Sequence, residues 1–166
     1  MASILFKGQP VETSGTLLET GSTAPDFRLV RSDLSEATLE DYSGRKKVLN
    51  IFPSVDTGVC ATSVRKFNEK AAALDNTVVL CISMDLPFAQ NRFCGAEGIK
   101  NVEMLSAFRS TFPRDYQLQI ASGPLSGLCS RCVLVLDENN KVLYNQQVPE
   151  ITQEPDYEKA IAAVQK

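Results

Sequence analysis

The stretch that decides the fold is "KKVLNIFPSVDTGVCATSVRKFNEKAAAL", residues 46–74. Its first seven residues, 46–52, form a continuous apolar run of the kind found in strands buried on both faces of a sheet. Pro53 stops such a strand, because it has no N–H to donate to a ladder. From 61 to 74, Val64, Phe67, Ala71 and Leu74 recur at helical spacing. A second buried strand, "NTVVLCISM" (76–84), follows at once. The reading is β-α-β, with Cys60 in the first turn of the helix that follows the central strand.

Outward from this unit, residues 4–18 read as a hairpin turning around Gly8-Gln9-Pro10. "DFRLV" (26–30) and "ATL" (37–39) read as short strands. "LPFAQNRFCGAEG" (86–98) reads as a short helix started by Asp85 and Pro87 and ended near Gly95 or Gly98. "AFRSTFPRDY" (107–116) reads as a short helix interrupted by Pro113. "RCVLVLD" (131–137) and "KVLYNQQV" (141–148) form a hairpin across Glu138-Asn139-Asn140, and "PDYEKAIAAVQK" (155–166) is a terminal amphipathic helix. This order predicts an α/β protein: a central mixed sheet flanked by helices, with an N-terminal β-hairpin, in the thioredoxin-like order.

The 166 residues suit one domain spanning 1–166. A net charge of −3 provides no footprint for nucleic acid or anionic lipid. No apolar run approaches the length of a membrane span. "MASILFKGQPVETSG" lacks the basic region and the long apolar core of a signal peptide, so the expected location is cytoplasmic. The chain contains no histidine, which excludes a Ser-His-Asp triad, a Cys-His pair and His-ligated zinc. Its five cysteines, Cys60, Cys81, Cys94, Cys129 and Cys132, are odd in number. In a cytoplasmic chain that points away from a structural disulfide framework and toward redox, metal or packing roles.

At a helix N-terminus the backbone N–H groups are unpaired and the macrodipole presents roughly half a positive charge. Both favour thiolate over thiol at Cys60. In open α/β sheets the carboxyl ends of strands bind ligands, and the loop 53–59 lies there. Thr57 can bring a hydroxyl near the sulfur, and Pro53 can shield the site. Free cysteine is also among the most buried residue types. On position alone, reactive thiol and packed hydrophobe are evenly matched.

Pro53, Thr57 and Cys60 spell P-x-x-x-T-x-x-C, which resembles the active-site signature of peroxiredoxins. "NIFPSVDTGVCATSVRKFN", "NTVVLCISMDLPFAQNRFCGAEG" and "EITQEPDYEKAI" resemble the bacterial thiol peroxidase group, the atypical 2-Cys peroxiredoxins, over nearly the whole chain. The resemblance implies a peroxidatic Cys60 that becomes a sulfenic acid. It implies a Thr57 that hydrogen-bonds peroxide and thiolate, and a Pro53 that limits solvent. It assigns the site arginine to Arg131, which by itself reads as a solvated strand-end charge. An arginine suits a chain without histidine, since it stays charged and stabilises both thiolate and departing oxygen. The resemblance makes Cys94 the resolving cysteine, forming an intramolecular disulfide with Cys60. It further implies reduction of hydrogen peroxide and organic hydroperoxides without metal or other cofactor, thioredoxin as reductant, and a homodimer that uses the segment 108–120.

Cys81, inside "VVLCISM", reads as core. "CSRC" (129–132) is a C-x-x-C pair, but it opens a strand rather than a helix, and on an extended strand positions i and i+3 face opposite sides. Its use in disulfide exchange is one competing reading, and a non-catalytic redox sensor switched by Cys60–Cys94 is another.

Overall fold

The computed structural model describes all 166 residues. Strands β1 (Ser3–Phe6) and β2 (Gln9–Glu12) form an antiparallel hairpin with Phe6 opposite Gln9. The turn is Lys7-Gly8, with φ of 51° and 80°, as a two-residue hairpin loop of the right twist requires. It therefore lies earlier than expected, and the second strand ends at Glu12 instead of running toward Leu18. Pro10 is tolerated inside β2 because it faces Leu5 across a pair whose N–H groups point away from each other. The outward groups of Leu5 bind elsewhere: its N–H donates to Pro149 O at 2.7 Å, and its carbonyl accepts from Ile151 N at 2.9 Å.

Strand β5 (Lys46–Ile51) is the centre of a seven-stranded sheet. The other strands are β3 (Leu29–Arg31), β4 (Glu36–Ala37), β6 (Thr77–Ser83), β7 (Glu103–Ser106), β8 (Cys132–Leu136) and β9 (Val142–Gln147). Their spatial order is β4-β3-β7-β6-β5-β8-β9. β5, β6 and β7 run parallel, while β8, β9, β3 and β4 make antiparallel pairings toward the two edges. The strand β7 was not expected from the sequence. It has four residues and is held by β6 on one side and β3 on the other, partners far away in the chain. The helix expected over 107–116 contracts to α3 (Phe112–Asp115), in which Pro113 occupies the first turn rather than interrupting it.

Alternation along β5 feeds two cores. Val48 faces helices α1 (Gly58–Ala71), α2 (Pro87–Glu97) and α4 (Tyr157–Val164), together with Val64, Phe67, Val133, Val135 and Ala160. Leu49 and Ile51 face the opposite core, closed by Phe27, Phe112 and Tyr116. Phe67 is fully buried and meets Tyr157 edge-on at 5.2 Å, which ties α1 to α4. Burial on both faces explains why β6 and β8 read as nearly unbroken apolar runs, while β5 also buries Lys47, whose Nζ donates to Asn140 Oδ1 at 2.7 Å, and Asn50, whose Nδ2 donates to Ser63 Oγ at 3.2 Å.

Candidate active site

β5 delivers the chain to the site. Its last ladder-like bond is Phe52 N to Ile82 O at 3.1 Å, and the loop Pro53–Thr57 follows. Thr57 is the N-cap of α1, with extended backbone angles, and Cys60 is the third helical residue. Cys60 is fully buried. Because Ile51 pairs with Cys132, Arg131 stands at the carboxyl end of β5, within reach of the first turn of α1. Its Nη2 donates to Cys60 Sγ at 3.1 Å, and its Nε donates to Ile151 O at 2.7 Å. Nη1 is buried without a partner. Arg131 is only 2% exposed, so it is no solvated strand-end charge. The residue just past β9 fixes its backbone, with Val148 N donating to Arg131 O at 3.0 Å.

A cleft of about 360 Å³ opens on this arrangement, with Pro53, Thr57, Leu125, Leu128, Arg131 and Ile151 in its wall. The hairpin tip, Phe6 and Lys7, forms its rim. A larger depression, about 490 Å³, lies among Asp26, Arg28, Glu36 and Arg109, is predominantly polar and contains no thiol. The hydroxyl of Thr57 donates to Ser54 O at 3.2 Å. It makes no hydrogen bond to the Cys60 sulfur; what Thr57 shares is the cleft wall with Arg131, the residue that reaches that sulfur. Pro53 is buried in the same wall.

Cys94 lies in the last turn of α2, half-buried against the apolar cluster that contains Cys60. Burial pushes its thiol pKa up. Its carbonyl accepts from Gly98 N and Ile99 N, where Gly98 turns left-handed (φ 66°) to end the helix. All five cysteines are free thiols. Cys81 is fully buried, takes a weak contact from Asn50 Nδ2 at 3.7 Å, and is pushed by burial to about 12.

Cys129 and Cys132 are both fully buried and, against the strand-alternation argument, pack in one and the same core. The reason is local: β8 begins at Cys132, while Cys129 bridges to Gln119 and Ser130 N binds Leu118 O, so no regular pleat runs from 129 to 132. Burial pushes Cys132 to about 12 and Cys129 higher still.

Two positioning carboxylates were not read as such in the sequence. Asp85 Oδ1 accepts from Ser54 Oγ at 2.7 Å, and its Oδ2 accepts from Val55 N at 2.8 Å and Ser83 Oγ at 2.6 Å. Asp85 was expected to start α2, but the N-cap there is Leu86. Glu150 accepts from Gly8 N at 2.8 Å, Lys7 N at 3.2 Å and Thr152 N at 3.1 Å, clasping the hairpin turn over the cleft. The one signal for Asp85 was its position just past the carboxyl end of a central strand, where α/β sheets build sites.

The redoxin family model matches residues 19–161. A thiol peroxidase of Corynebacterium glutamicum is 58% identical over 164 residues, covering 99% of both chains. The chain belongs to the redoxin family and, within it, to the thiol peroxidases. A peroxiredoxin-like protein from Aquifex aeolicus superposes with a TM-score of 0.95 at 39% identity, covering 99% of this chain and 96% of that one. A thiol peroxidase from Chromobacterium violaceum superposes at 0.90 over 98% and 95% of the two chains; at 23% identity it speaks for the fold alone. This thiol peroxidase has the thioredoxin-like peroxiredoxin fold, its mixed sheet flanked by helices and preceded by the hairpin. No helix is long and apolar enough to cross a membrane.

Proposed function

We propose that Cys60 is the peroxidatic thiol of an enzyme that reduces hydrogen peroxide and organic hydroperoxides. The observation that carries this reading is the 3.1 Å contact from Arg131 Nη2 to Cys60 Sγ at a helix N-terminus. A fixed cation and unpaired helix N–H groups both stabilise a thiolate. The partnerless Nη1 of Arg131 is a donor still available for a peroxide oxygen. The thiolate attacks the terminal oxygen of the hydroperoxide, a sulfur–oxygen bond forms and the O–O bond breaks. The departing oxygen leaves as alkoxide or hydroxide and takes a proton to become alcohol or water. Pro53 and Thr57 form the wall on which the peroxide rests. Five apolar side chains in the cleft suit organic hydroperoxides.

Cys94 resolves the sulfenic acid: its sulfur bonds to Sγ of Cys60 and water leaves. Thioredoxin then supplies the two electrons that reopen the disulfide. The protein works as a single-domain chain without metal or organic cofactor, paired into a homodimer through 108–120, where Phe108 is 39% exposed, and resident in the cytoplasm. Disulfide exchange through Cys129 and Cys132 has less support: both sulfurs lie in the opposite core, no guanidinium nitrogen donates to either, and burial raises both thiols.

The test is turnover of hydrogen peroxide and an alkyl hydroperoxide with thioredoxin, its reductase and NADPH. Wild type turns over both and Cys60→Ser neither. Full turnover by Cys60→Ser removes the reading.

A further inference from the structure

Peroxide reduction and disulfide formation place opposite demands on the loop before α1. The first step needs Cys60 in the opening turn of α1 with its sulfur on Arg131. The second needs that sulfur bonded to Cys94, with Cα atoms within about 7 Å. Cys60 is fully buried and held by Arg131, while Cys94 sits in a capped helix end with a thiol that burial keeps protonated. One side must let go before the sulfurs meet.

Asp85 stands where the two halves of the site join. Its backbone belongs to the segment that leads from β6 into α2, the helix of Cys94, and its carbonyl accepts from Ser106 Oγ at the end of β7. Its carboxylate crosses to the other half and takes Ser54 Oγ and Val55 N, both in the loop that ends at the Thr57 cap. Ser83 Oγ donates to the same carboxylate and itself accepts from the buried Gln90 Nε2 at 3.1 Å, so the anchor does not swing. The ion pairs that join these halves are Arg92–Asp56 at 3.2 Å and Arg65–Glu97 at 3.1 Å, and farther along α1 Asn68 Oδ1 accepts from Lys100 N and Asn101 N just past α2. Both ion pairs are exposed, the first with side chains 69% and 65% accessible, and such pairs stabilise little. Charge-assisted bonds to a partly buried carboxylate are the strong ones.

We propose that Asp85 is a positioning residue that latches the Ser54–Val55 loop in the peroxide-reactive arrangement, and that its release admits Cys60 to Cys94. The proposal rests on the roles of Cys60 and Cys94 given above. The latch sets a partition. A sulfenic acid held beside Arg131 meets a second peroxide and becomes sulfinic acid, gaining one oxygen while that peroxide is reduced to water or alcohol. A sulfenic acid set free condenses with Cys94 and expels water.

The experiment has two arms. In a Cys94→Ser background, Asp85→Ala lowers the second-order rate of Cys60 oxidation by about tenfold, the scale of one charge-assisted hydrogen bond. With Cys94 present, Asp85→Ala shifts products at a fixed excess of peroxide toward disulfide and away from sulfinic acid, read by intact mass. Asp85→Asn, which keeps an acceptor for Val55 N, falls between. Should Asp85→Ala not fold, Ser54→Ala removes one bond to the same carboxylate and moves both readouts in the same direction. A structural role alone leaves the sulfinic-to-disulfide ratio unchanged, and that result, or a shift toward sulfinic acid, overturns the proposal. Wild type without any Cys60–Cys94 disulfide refutes the resolving role of Cys94 instead, and the rate in the Cys94→Ser arm then judges the loop-holding part alone.

Discussion

Arg131 reaches Cys60 with one nitrogen and keeps another free: Nη2 lies 3.1 Å from Sγ, Nε is fixed on Ile151 O, and Nη1 has no partner. A planar fork does this; the point charge of a lysine does not. Arg131→Lys is expected to lower the second-order rate of Cys60 with hydroperoxide by about a hundredfold, the usual loss for a preorganised donor in an enclosed site. Stopped-flow peroxide consumption measures it. A rate within a factor of about three of wild type, under 1 kcal/mol of barrier, contradicts the role.

Cys94→Ser leaves Cys60, Thr57 and Arg131 untouched. One equivalent of peroxide is therefore consumed at close to the wild-type rate, after which thioredoxin-linked cycling stops. Excess peroxide then carries the stranded sulfenic acid to sulfinic acid. Steady cycling by this variant shows that another thiol resolves.

Cys129→Ala with Cys132→Ala tests the C-x-x-C pair. Both sulfurs are fully buried in the core beneath Leu134, and burial pushes Cys132 to about 12, which leaves little thiolate near neutrality. Turnover stays near wild type. Stability falls instead, by about 1–2 kcal/mol for two small cavities, as read by denaturant midpoint.

Glu150 holds the hairpin tip against the cleft. Backbone donors from Thr152, Gly8 and Lys7 hold its carboxyl below the ordinary 4.5. A depressed carboxyl contributes fully above its unfolded value and loses that contribution as pH falls through the lower, folded value. The amides of Lys7 and Gly8 are thus protected from hydrogen exchange above about pH 5 and lose protection in stronger acid. Glu150→Gln keeps one acceptor oxygen, so it weakens this protection and removes its pH dependence, and it raises KM for alkyl hydroperoxides more than for hydrogen peroxide, since Phe6 and Lys7 border the apolar cleft. Equal protection in Glu150→Gln and wild type at neutral pH excludes the clasp.

The central β-α-β was legible because β5 and β6 are buried on both faces and because Val64 and Phe67 mark the inner side of α1. The strand β7 was not, for its four residues acquire strand character from neighbours brought in by the fold. Cys60 could be named as a candidate from its place after Pro53 and Thr57, whereas the burial of Arg131 depends on the register of β8 against β5, which no local pattern encodes. Asp85 escaped for a related reason. Ser54, Val55 and Ser83 lie on either side of α1 in the chain and converge only when β5 and β6 pair. The CSRC pair misled because strand alternation was extended past the point where the pleat begins, at Cys132.

The most direct measurement is peptide mapping by mass spectrometry after wild-type protein receives one equivalent of hydroperoxide and is quenched without reductant. The account predicts a single disulfide joining Cys60 to Cys94, with Cys81, Cys129 and Cys132 still free thiols. Cys60 recovered as a thiol, or a disulfide between Cys129 and Cys132 in its place, would contradict it.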